Sequence, residues 1–215
     1  MEHEEYRYYF QKRPEMLSFI PKSCMRFLEV GCGDGSFSSQ LKQKEGVEVW
    51  GVEMHPETGL AAQQLLDKVF IGDFETFLEG NELPDSYFDC IIFNDVLEHF
   101  IDPHGILLKI KRILKPAGYI TSSLPNFRYV GNLWEILVDG DFRYKDSGIL
   151  DRSHYRFFTE KSIRAMYAQQ GYEIQKISGI NPTKSFKVRI VKWLSFNKLA
   201  DIPFMQIATL VRLKN

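Results

Sequence analysis

Three alternating glycines, Gly31, Gly33 and Gly35, are the residues of this sequence that indicate chemistry most clearly. They follow Arg26–Val30, a run that predicts a strand, and they precede Phe37–Lys44, which predicts a helix. A glycine has no Cβ atom, so the backbone of such a turn can approach a ligand closely. The N–H groups at the start of the next helix can also bind an anion. The pattern therefore predicts a ligand-binding loop.

Glu53 lies about twenty residues beyond this loop, after the second predicted strand, Val47–Val52. A carboxylate at this place can accept hydrogen bonds from both hydroxyls of a ribose. The loop and Glu53 together indicate a cofactor that contains adenosine. The dinucleotide spacing Gly-x-Gly-x-x-Gly would put its third glycine where this chain has Ser36. The observed spacing is acidic-x-Gly-x-Gly-x-Gly, and it begins at Glu29.

The elements that must position these residues alternate between strands and helices, which predicts an α/β fold with a mostly parallel sheet. Further strands are predicted at Val69–Ile71, Phe88–Phe93, Tyr119–Leu124, Glu173–Ile177 and within Met205–Leu213, and helices at Gly59–Leu66, Gly105–Leu114 and Glu160–Gln170. Phe88–Phe93 is almost continuously apolar, which is typical of a strand buried on both faces. The sheet has seven predicted strands, and we expect the last one to run antiparallel.

With these motifs in place, residues 24–178 resemble the class I S-adenosylmethionine-dependent methyltransferases. The resemblance rests on Glu29–Gly35, on the string Phe88-Asp-Cys-Ile-Ile-Phe-Asn-Asp-Val-Leu-Glu-His99 and on Leu114-Lys-Pro-Ala-Gly-Tyr119. It implies a Rossmann-like three-layer sandwich, S-adenosyl-L-methionine as the cofactor and methyl transfer as the reaction.

The resemblance also implies a cofactor site at the carboxyl ends of the first four strands. The glycine loop would hold the amino-acid part of the cofactor, Glu53 the ribose, and Met54 and Asp73 the adenine. The full implied set is Glu29, Gly31, Cys32, Gly33, Gly35, Glu53, Met54, Asp73, Phe74, Asn94 and Asp95. Taken singly, the glycines could form a tight turn, Glu53 could be a solvated strand end and Asp73 could cap a helix. Their occurrence after successive strands favours the cofactor site.

The segment between the fifth strand and the Glu160 helix, Asn126 to Phe158, is predicted to be irregular and to form an aromatic cap over the substrate. Its aromatic and basic residues are Phe127, Arg128, Tyr129, Trp134, Phe142, Arg143, Tyr144, Arg152, Tyr155, Arg156, Phe157 and Phe158. The string His154-Tyr-Arg-Phe-Phe-Thr159 resembles His-x-Arg-Phe-Phe-Thr of many bacterial members, some of which lie beside sugar-modifying enzymes. This implies a small-molecule or glycan acceptor. For most of the aromatic residues we favour the simpler interpretation, a small core within the cap.

Two histidines are the catalytic candidates. A hydroxyl acceptor needs a base with a pKa near neutrality, and histidine is the natural one. His154 lies in the aromatic cap and His99 follows the fourth strand. For both, the alternative is a structural histidine that hydrogen-bonds a backbone carbonyl. Carbon, nitrogen or sulfur acceptors would need less help than oxygen.

A metal site is conceivable from Asp95, Glu98, His99 and His104, because Asp95 and His99 would share a face if that segment is helical. A helix capped by acids is the plainer interpretation, so we expect no metal. The sequence has neither a Gly-x-Ser-x-Gly elbow nor a Walker loop.

The composition is that of a globular protein of 215 residues, with 44% hydrophobic and 26% charged residues. The 27 Lys and Arg nearly balance the 28 Asp and Glu, so there is no overall attraction to DNA. The three scattered cysteines, an acidic N-terminus and the lack of an apolar run of roughly 18 residues indicate a cytoplasmic protein without a transmembrane segment. We expect a single domain, with a cofactor-binding core at about 24–126 and the aromatic cap at 127–158.

A basic segment at 176–198 carries Lys176, Lys184, Lys187, Arg189, Lys192 and Lys198 and has no acidic residue. Apolar residues at helical spacing within it predict an inserted amphipathic helix at about 182–200. A solvated basic face is the favoured interpretation, and contact with RNA or a membrane surface is the alternative. Two other functions therefore stay open: an RNA or protein methyltransferase, and a cofactor-binding regulatory or assembly protein without catalysis.

Overall fold

A computed structural model of the protein describes residues 12–185, residue 188 and residues 198–214. Within these residues one sheet contains seven strands: β1 (Arg26–Val30), β2 (Glu48–Glu53), β3 (Lys68–Ile71), β4 (Phe88–Asn94), β5 (Leu114–Pro125), β6 (Tyr172–Pro182) and β7 (Phe204–Leu213). Their order is β3-β2-β1-β4-β5-β7-β6. The pairs from β3 to β5 are parallel, and β7 is antiparallel to both β5 and β6. The predicted mixed sheet is confirmed.

Five α-helices in the described part of the chain are α1 (Pro56–Ala62), α2 (Phe74–Glu79), α3 (Pro103–Lys109), α4 (Val130–Leu137) and α5 (Glu160–Gln169). Short 3₁₀ helices lie at Pro14–Phe19, Ser38–Gln43 and Leu97–His99. Local sequence explains several helix starts. Thr159 and Ser162 form a capping box before α5, and Pro56 and Pro103 occupy first helical positions.

The core lies on both faces of the sheet, because alternate residues of a strand point in opposite directions. On β4, Ile91 and Phe93 pack in one apolar cluster, and Cys90 and Ile92 pack in the other. All four are fully buried. The prediction that this strand is covered on both faces is confirmed.

Some sequence predictions about regular structure are wrong, and the first concerns the helix after β4. The helix expected at Gly105–Leu114 ends at Lys109, and β5 already begins at Leu114. The pairing of β5 with β4 jumps from Leu114 opposite Phe88 to Tyr119 opposite Cys90. Pro116 and Gly118 therefore sit in an irregularity of the strand, where a missing N–H donor is tolerated.

The second correction concerns the aromatic cap, which contains helix α4 in the segment expected to be irregular. Leu133 and Ile136 on this helix are half-buried, whereas Trp134 and Leu137 are exposed. At the glycine loop, the helix expected at Phe37–Lys44 is a 3₁₀ helix.

The inserted helix expected at about 182–200 overlaps the end of β6 and otherwise lies mostly outside the described residues. Across the described segments, every helix is too short or too polar to span a bilayer.

Candidate functional site

The glycine loop joins β1 to the 3₁₀ helix at Ser38–Gln43 and turns sharply. Gly31, Gly33 and Gly35 have φ angles of 67°, 55° and 80°, in the left-handed region that side chains disfavour. The N–H groups of Gly31 and Cys32 donate to the Val52 carbonyl at 2.8 and 3.1 Å. The loop is thus fixed against the end of β2.

Packing also requires glycine at both ends of this loop. A Cβ atom on Gly31 would lie 2.7 Å from Cγ2 of Val96, and one on Gly35 would lie 3.2 Å from Cγ of Leu66. The contact with Val96 shows that the segment after β4 lies directly against the loop. The ends of β1 and β4 therefore meet at one place, as the parallel sheet predicts.

Glu53, at the end of β2, fixes the glycine loop through a side-chain hydrogen bond. It is buried, and its Oε2 accepts a hydrogen bond from the Gly33 N–H at 2.8 Å, while its Oε1 accepts one from the His55 N–H at 2.9 Å. This burial excludes the solvated strand end. Each carboxylate oxygen has a second lone pair with which it can accept from another donor.

Glu29 and Asn94 form a second polar pair, across β1 and β4. The Asn94 Nδ2 group donates to Glu29 Oε1 at 2.9 Å. Burial raises the pKa of Glu29 to about 7, against the opposing effects of Asn94 and the Arg13 charge. Asn94 Oδ1 is buried and accepts no hydrogen bond from any described residue. A buried acceptor in this position suits a ligand that carries a hydrogen-bond donor.

Asp95 follows β4 with a left-handed backbone, φ 55°, and its carboxylate is enclosed by protein. Its Oδ1 accepts from Ser123 Oγ at 2.8 Å, and its Oδ2 accepts from Gln206 Nε2 and lies 2.9 Å from Arg13 Nη1. Arg13 is a residue that sequence reasoning missed. It sits outside every motif, and only the folded chain brings it to this edge of the sheet.

Asp73, Phe74 and Met54 differ in their surroundings. Asp73 caps α2, since its Oδ2 accepts from the N–H and the hydroxyl of Thr76, both at 3.1 Å. Phe74 is buried in the core against Phe93, so only its backbone can face a cofactor. The Met54 side chain is 62% exposed and can cover a ligand at the end of β2.

Both predicted catalytic histidines come together although they are far apart in sequence. The rings of His99 and His154 lie 4.7 Å apart in an edge-to-face arrangement. The connection is made by the backbone, because the Glu98 carbonyl accepts from the N–H groups of Tyr155 at 2.9 Å and Arg156 at 3.1 Å. These bonds tie the segment after β4 to the aromatic cap.

Burial is the main electrostatic effect on His99. It lowers the pKa of His99, and the charge of a protonated His154 lowers it further. Beside them, burial raises the pKa of Glu98 well above its ordinary value, and the Asp95 carboxylate raises it again. A neutral histidine with a free lone pair is the form in which it can accept a proton.

Four aromatic rings contact one another inside the cap, but Phe142 and Tyr144 are exposed, so the small core of the simpler interpretation is only partly buried. Phe157 lies 5.4 Å from Phe127, 5.9 Å from Phe142 and 6.3 Å from Tyr144, measured between ring centroids. Tyr155 is 60% exposed and contributes to the outer surface. The aromatic rings of the cap therefore hold one another in place, and Tyr155 lies on the outside.

Comparison with known proteins adds a family to this geometry. A family model described as "Methyltransferase domain" matches residues 1–177. A ubiquinone biosynthesis O-methyltransferase of Aeromonas salmonicida is 24% identical over 73% of this chain and 66% of its own length. One of Pasteurella multocida is 31% identical over 60% of this chain and 60% of its own length. The chain thus spans less than two thirds of these curated relatives.

Solved structures share the fold over nearly the whole chain. A SAM dependent methyltransferase from Archaeoglobus fulgidus has a TM-score of 0.63 and 21% identity, over 98% of this chain and 91% of its own. Another, from Aquifex aeolicus, has a TM-score of 0.62 and 15% identity, over 95% of this chain and 90% of its own. At these identities the likeness concerns the fold alone.

Proposed function

The chain belongs to the methyltransferase domain family, and on this premise we propose that it transfers a methyl group from S-adenosyl-L-methionine to an oxygen atom of a small-molecule or glycan acceptor. When bound, this cofactor supplies a methyl group on a sulfonium, which an acceptor oxygen attacks in line while the C–S bonding pair goes to sulfur. The observation that carries the proposal is the contact of the glycine loop with Val96. It joins the proposed cofactor pocket to the segment that bears His99.

The residues at the end of β1, β2 and β4 suit the cofactor. The glycine loop brings bare backbone to the edge of the sheet, and Val52 and Glu53 fix its shape by accepting from its N–H groups. Asn94 Oδ1 is a buried acceptor that would receive a hydrogen bond from the ammonium group. Glu53 shapes the loop through Gly33 and can accept from the ribose hydroxyls with its remaining lone pairs.

The histidine pair suits a hydroxyl acceptor. A sulfonium already activates the methyl group, so the protein mainly aligns the reactants and excludes water. An oxygen nucleophile must in addition lose its proton, and we propose that His99 and His154 assist at this step. The lowered pKa of His99 keeps its imidazole neutral at pH 7. The relatives named as O-methyltransferases support oxygen as the acceptor atom.

The site should work in a reducing compartment, and we propose the cytoplasm. Cys24, Cys32 and Cys90 are all free and buried, which suits a protein that never meets an oxidising environment.

The test has two stages. In the first, calorimetric titration should show binding of S-adenosylmethionine and S-adenosylhomocysteine but not of NAD. In the second, the protein is incubated with S-adenosylmethionine and separate pools of hydroxylated metabolites, oligosaccharides, RNA and protein. We expect S-adenosylhomocysteine to form with a metabolite or oligosaccharide pool. Turnover with RNA or protein alone would overturn the proposed acceptor class, and binding without turnover in any pool would favour a regulatory or assembly role.

A further inference from the structure

Glu98, His99 and His154 form a compact cluster at the junction of the 3₁₀ helix Leu97–His99 and the aromatic cap. One ligand atom of each residue, a carboxylate oxygen or an imidazole nitrogen, lies within 4.8 Å of the other two. Glu98 is fully buried and His154 is 7% exposed. Distances of this size are those at which three side chains can converge on one ion with little movement.

The Glu98 carboxylate is the most unusual member of the cluster. Both of its oxygens are buried, and neither forms a hydrogen bond with a described residue. Burying an isolated carboxylate is strongly unfavourable unless a proton, a cation or hydrogen-bond donors compensate for the lost water. The two imidazole rings are its neighbours in the cluster, and neither donates a hydrogen bond to it. The carboxylate oxygens are thus left without a donor among the described residues.

The histidines are oriented by backbone carbonyls. His99 Nδ1 lies 3.2 Å from the Ser153 carbonyl, and His154 Nδ1 lies 3.1 Å from the Ile149 carbonyl. A carbonyl oxygen can only accept, so Nδ1 carries the hydrogen in both rings and Nε2 carries the lone pair. Metal-binding histidines are held in this way, with one nitrogen donating to a carbonyl and the other free for the ion.

The frame around the cluster is rigid. Two hydrogen bonds to the Glu98 carbonyl fix its backbone to the loop after His154, and the His154 N–H donates to the Asp151 carbonyl at 3.1 Å. The Asp151 carboxylate in turn accepts from the N–H and the hydroxyl of Ser153, at 2.8 and 2.6 Å. Segments far apart in sequence are thus held in place before any ligand arrives.

We propose that Glu98, His99 and His154 bind one divalent transition-metal ion. Two neutral imidazoles and one carboxylate suit zinc, cobalt or iron(II), whereas magnesium prefers a shell of oxygen atoms. Three protein ligands leave a coordination position open, as in catalytic rather than structural metal sites. The proposal revises our expectation from the sequence. The new set of ligands replaces the one that included His104. The His104 side chain lies beside Gln170 instead, with its Nδ1 atom 3.4 Å from Gln170 Nε2.

The role of the ion rests on the proposed function. An acceptor hydroxyl that occupies the open position would have its pKa lowered by the positive charge and would release its proton to solvent water. The oxygen lone pair then forms the bond to the methyl carbon, the C–S bond breaks, and the sulfonium becomes a neutral thioether. The histidines would thus act on the acceptor through the ion rather than by taking the proton themselves.

The experiment measures metal binding without any methyl transfer. Protein stripped with a chelator is titrated with Co²⁺ and with Zn²⁺, and the visible absorption of Co²⁺, the heat of binding and the thermal unfolding temperature are recorded. We expect saturation at one ion per chain and a rise in unfolding temperature, because an ion that binds only the folded state stabilises it. Mg²⁺ at the same concentration should produce neither change.

Three variants test the ligands. Glu98→Gln, His99→Gln and His154→Gln should each weaken Co²⁺ binding by more than the roughly 10–100-fold that loss of a ligand's hydrogen-bond partner costs. His104→Gln is the matched control and should bind as the parent does. Glu98→Gln keeps the side-chain shape and replaces a carboxyl whose charged form burial disfavours, so its metal-free form should be at least as stable as the parent.

The result that overturns the proposal is a folded parent protein that shows no saturable Co²⁺ or Zn²⁺ binding, or binding that the His99→Gln and His154→Gln variants retain. Equal responses to Mg²⁺ and Co²⁺ would overturn the assigned ion class. Binding of S-adenosylhomocysteine is measured on the same samples. If it is absent while the metal binds, the proposed function fails and the metal site stands. If it is present while no metal binds, the metal site alone fails.

Discussion

The Arg13 guanidinium lies 2.9 Å from the Asp95 carboxylate, and both side chains are more than nine-tenths buried. This ion pair ties the beginning of the described chain to the residue that follows β4. Ser123 on β5 and Gln206 on β7 donate to the same carboxylate. Three separate segments therefore converge on Asp95, at the edge of the sheet where the proposed cofactor pocket lies.

Removing Arg13 should destabilise the protein far more than removing a surface cation. Arg13→Met leaves the Asp95 charge buried without its ionic partner, which costs about 3–5 kcal/mol of unfolding free energy. Combining it with Asp95→Asn should recover part of that loss. Lys42→Met, which breaks a half-exposed pair with Asp67, is the control and should cost no more than about 1 kcal/mol. Denaturant unfolding measures all of these, and equal costs for Arg13→Met and Lys42→Met would contradict the prediction.

A side chain in the glycine loop should abolish cofactor binding. Gly33→Ala adds a methyl group where the proposed ligand lies, at a φ of 55°. Gly140→Ala has the same kind of strain, at a φ of 67°, but its Cβ would have no neighbour within 4 Å. Calorimetry with S-adenosylhomocysteine should show binding in Gly140→Ala only. Both variants should fold, with a loss of about 1–2 kcal/mol from the left-handed backbone. Undiminished binding by folded Gly33→Ala would place the cofactor elsewhere.

Glu53→Ala should weaken cofactor binding by about 1–3 kcal/mol, the range for hydrogen bonds to a charged group. It should also loosen the loop, because the Gly33 N–H loses its acceptor. Glu57→Ala, an exposed residue in the first turn of α1, is the matched control and should bind normally. The two affinities are compared by titration, and an unchanged value for Glu53→Ala would show that this carboxylate serves only the fold.

Glu29 should make the cofactor-free protein less stable as the pH rises. Its pKa is about 7 in the folded chain, against an ordinary value of 4.5, so the folded state binds its proton more tightly. The contribution of Glu29 to the free energy of unfolding is complete below pH 4.5, and it is lost as the pH rises from 4.5 to about 7. At roughly 1.4 kcal/mol per pKa unit, this loss amounts to about 3 kcal/mol. Glu29→Gln should remove this contribution to the pH dependence of the unfolding free energy, which is measured by denaturant unfolding between pH 4.5 and 7. A slope identical to that of the parent would mean that Glu29 ionises freely.

His154→Gln should separate chemistry from cofactor binding. With the acceptor that the pools identify, turnover should fall by about 10²–10⁴-fold, the range for lost assistance to proton transfer, because the variant lacks one ligand of the proposed ion. Affinity for S-adenosylhomocysteine should stay unchanged, and His104→Gln should turn over normally. A variant with full turnover would remove His154 from the reaction, and one with impaired cofactor binding would make it structural.

The strands and the glycine loop could be predicted because their signals are local. The apolar run at β4 and the spacing from Glu29 to Gly35 each lie within one short stretch of sequence. Parallel pairing then brings the strand ends together without further information. Helix α4 was missed although Leu133 and Ile136, which are half-buried, stand at helical spacing, because the aromatic and basic residues around it were interpreted as an irregular segment.

The histidine cluster could be predicted only in part, because it depends on a contact across the fold. The sequence identified His99 and His154 separately, each from its own motif. Their meeting depends on the Glu98 carbonyl, which binds the backbone of the loop after His154. Arg13 was missed for the same reason, since a lone arginine before a proline has no pattern that indicates a buried partner.

The position of β7 between β5 and β6 determines when the sheet can be completed as the chain is synthesised. β7 lies between β5 and β6, and among the described strands β6 pairs with β7 alone. Residues 172–182 leave the ribosome before residues 204–213, so β6 must wait unpaired for a strand that has not yet emerged. Until then the edge of β5 displays open N–H and C=O groups, the kind of edge that recruits foreign strands. The nascent chain is therefore most exposed to chaperones and to misassociation in the interval between the synthesis of β6 and that of β7.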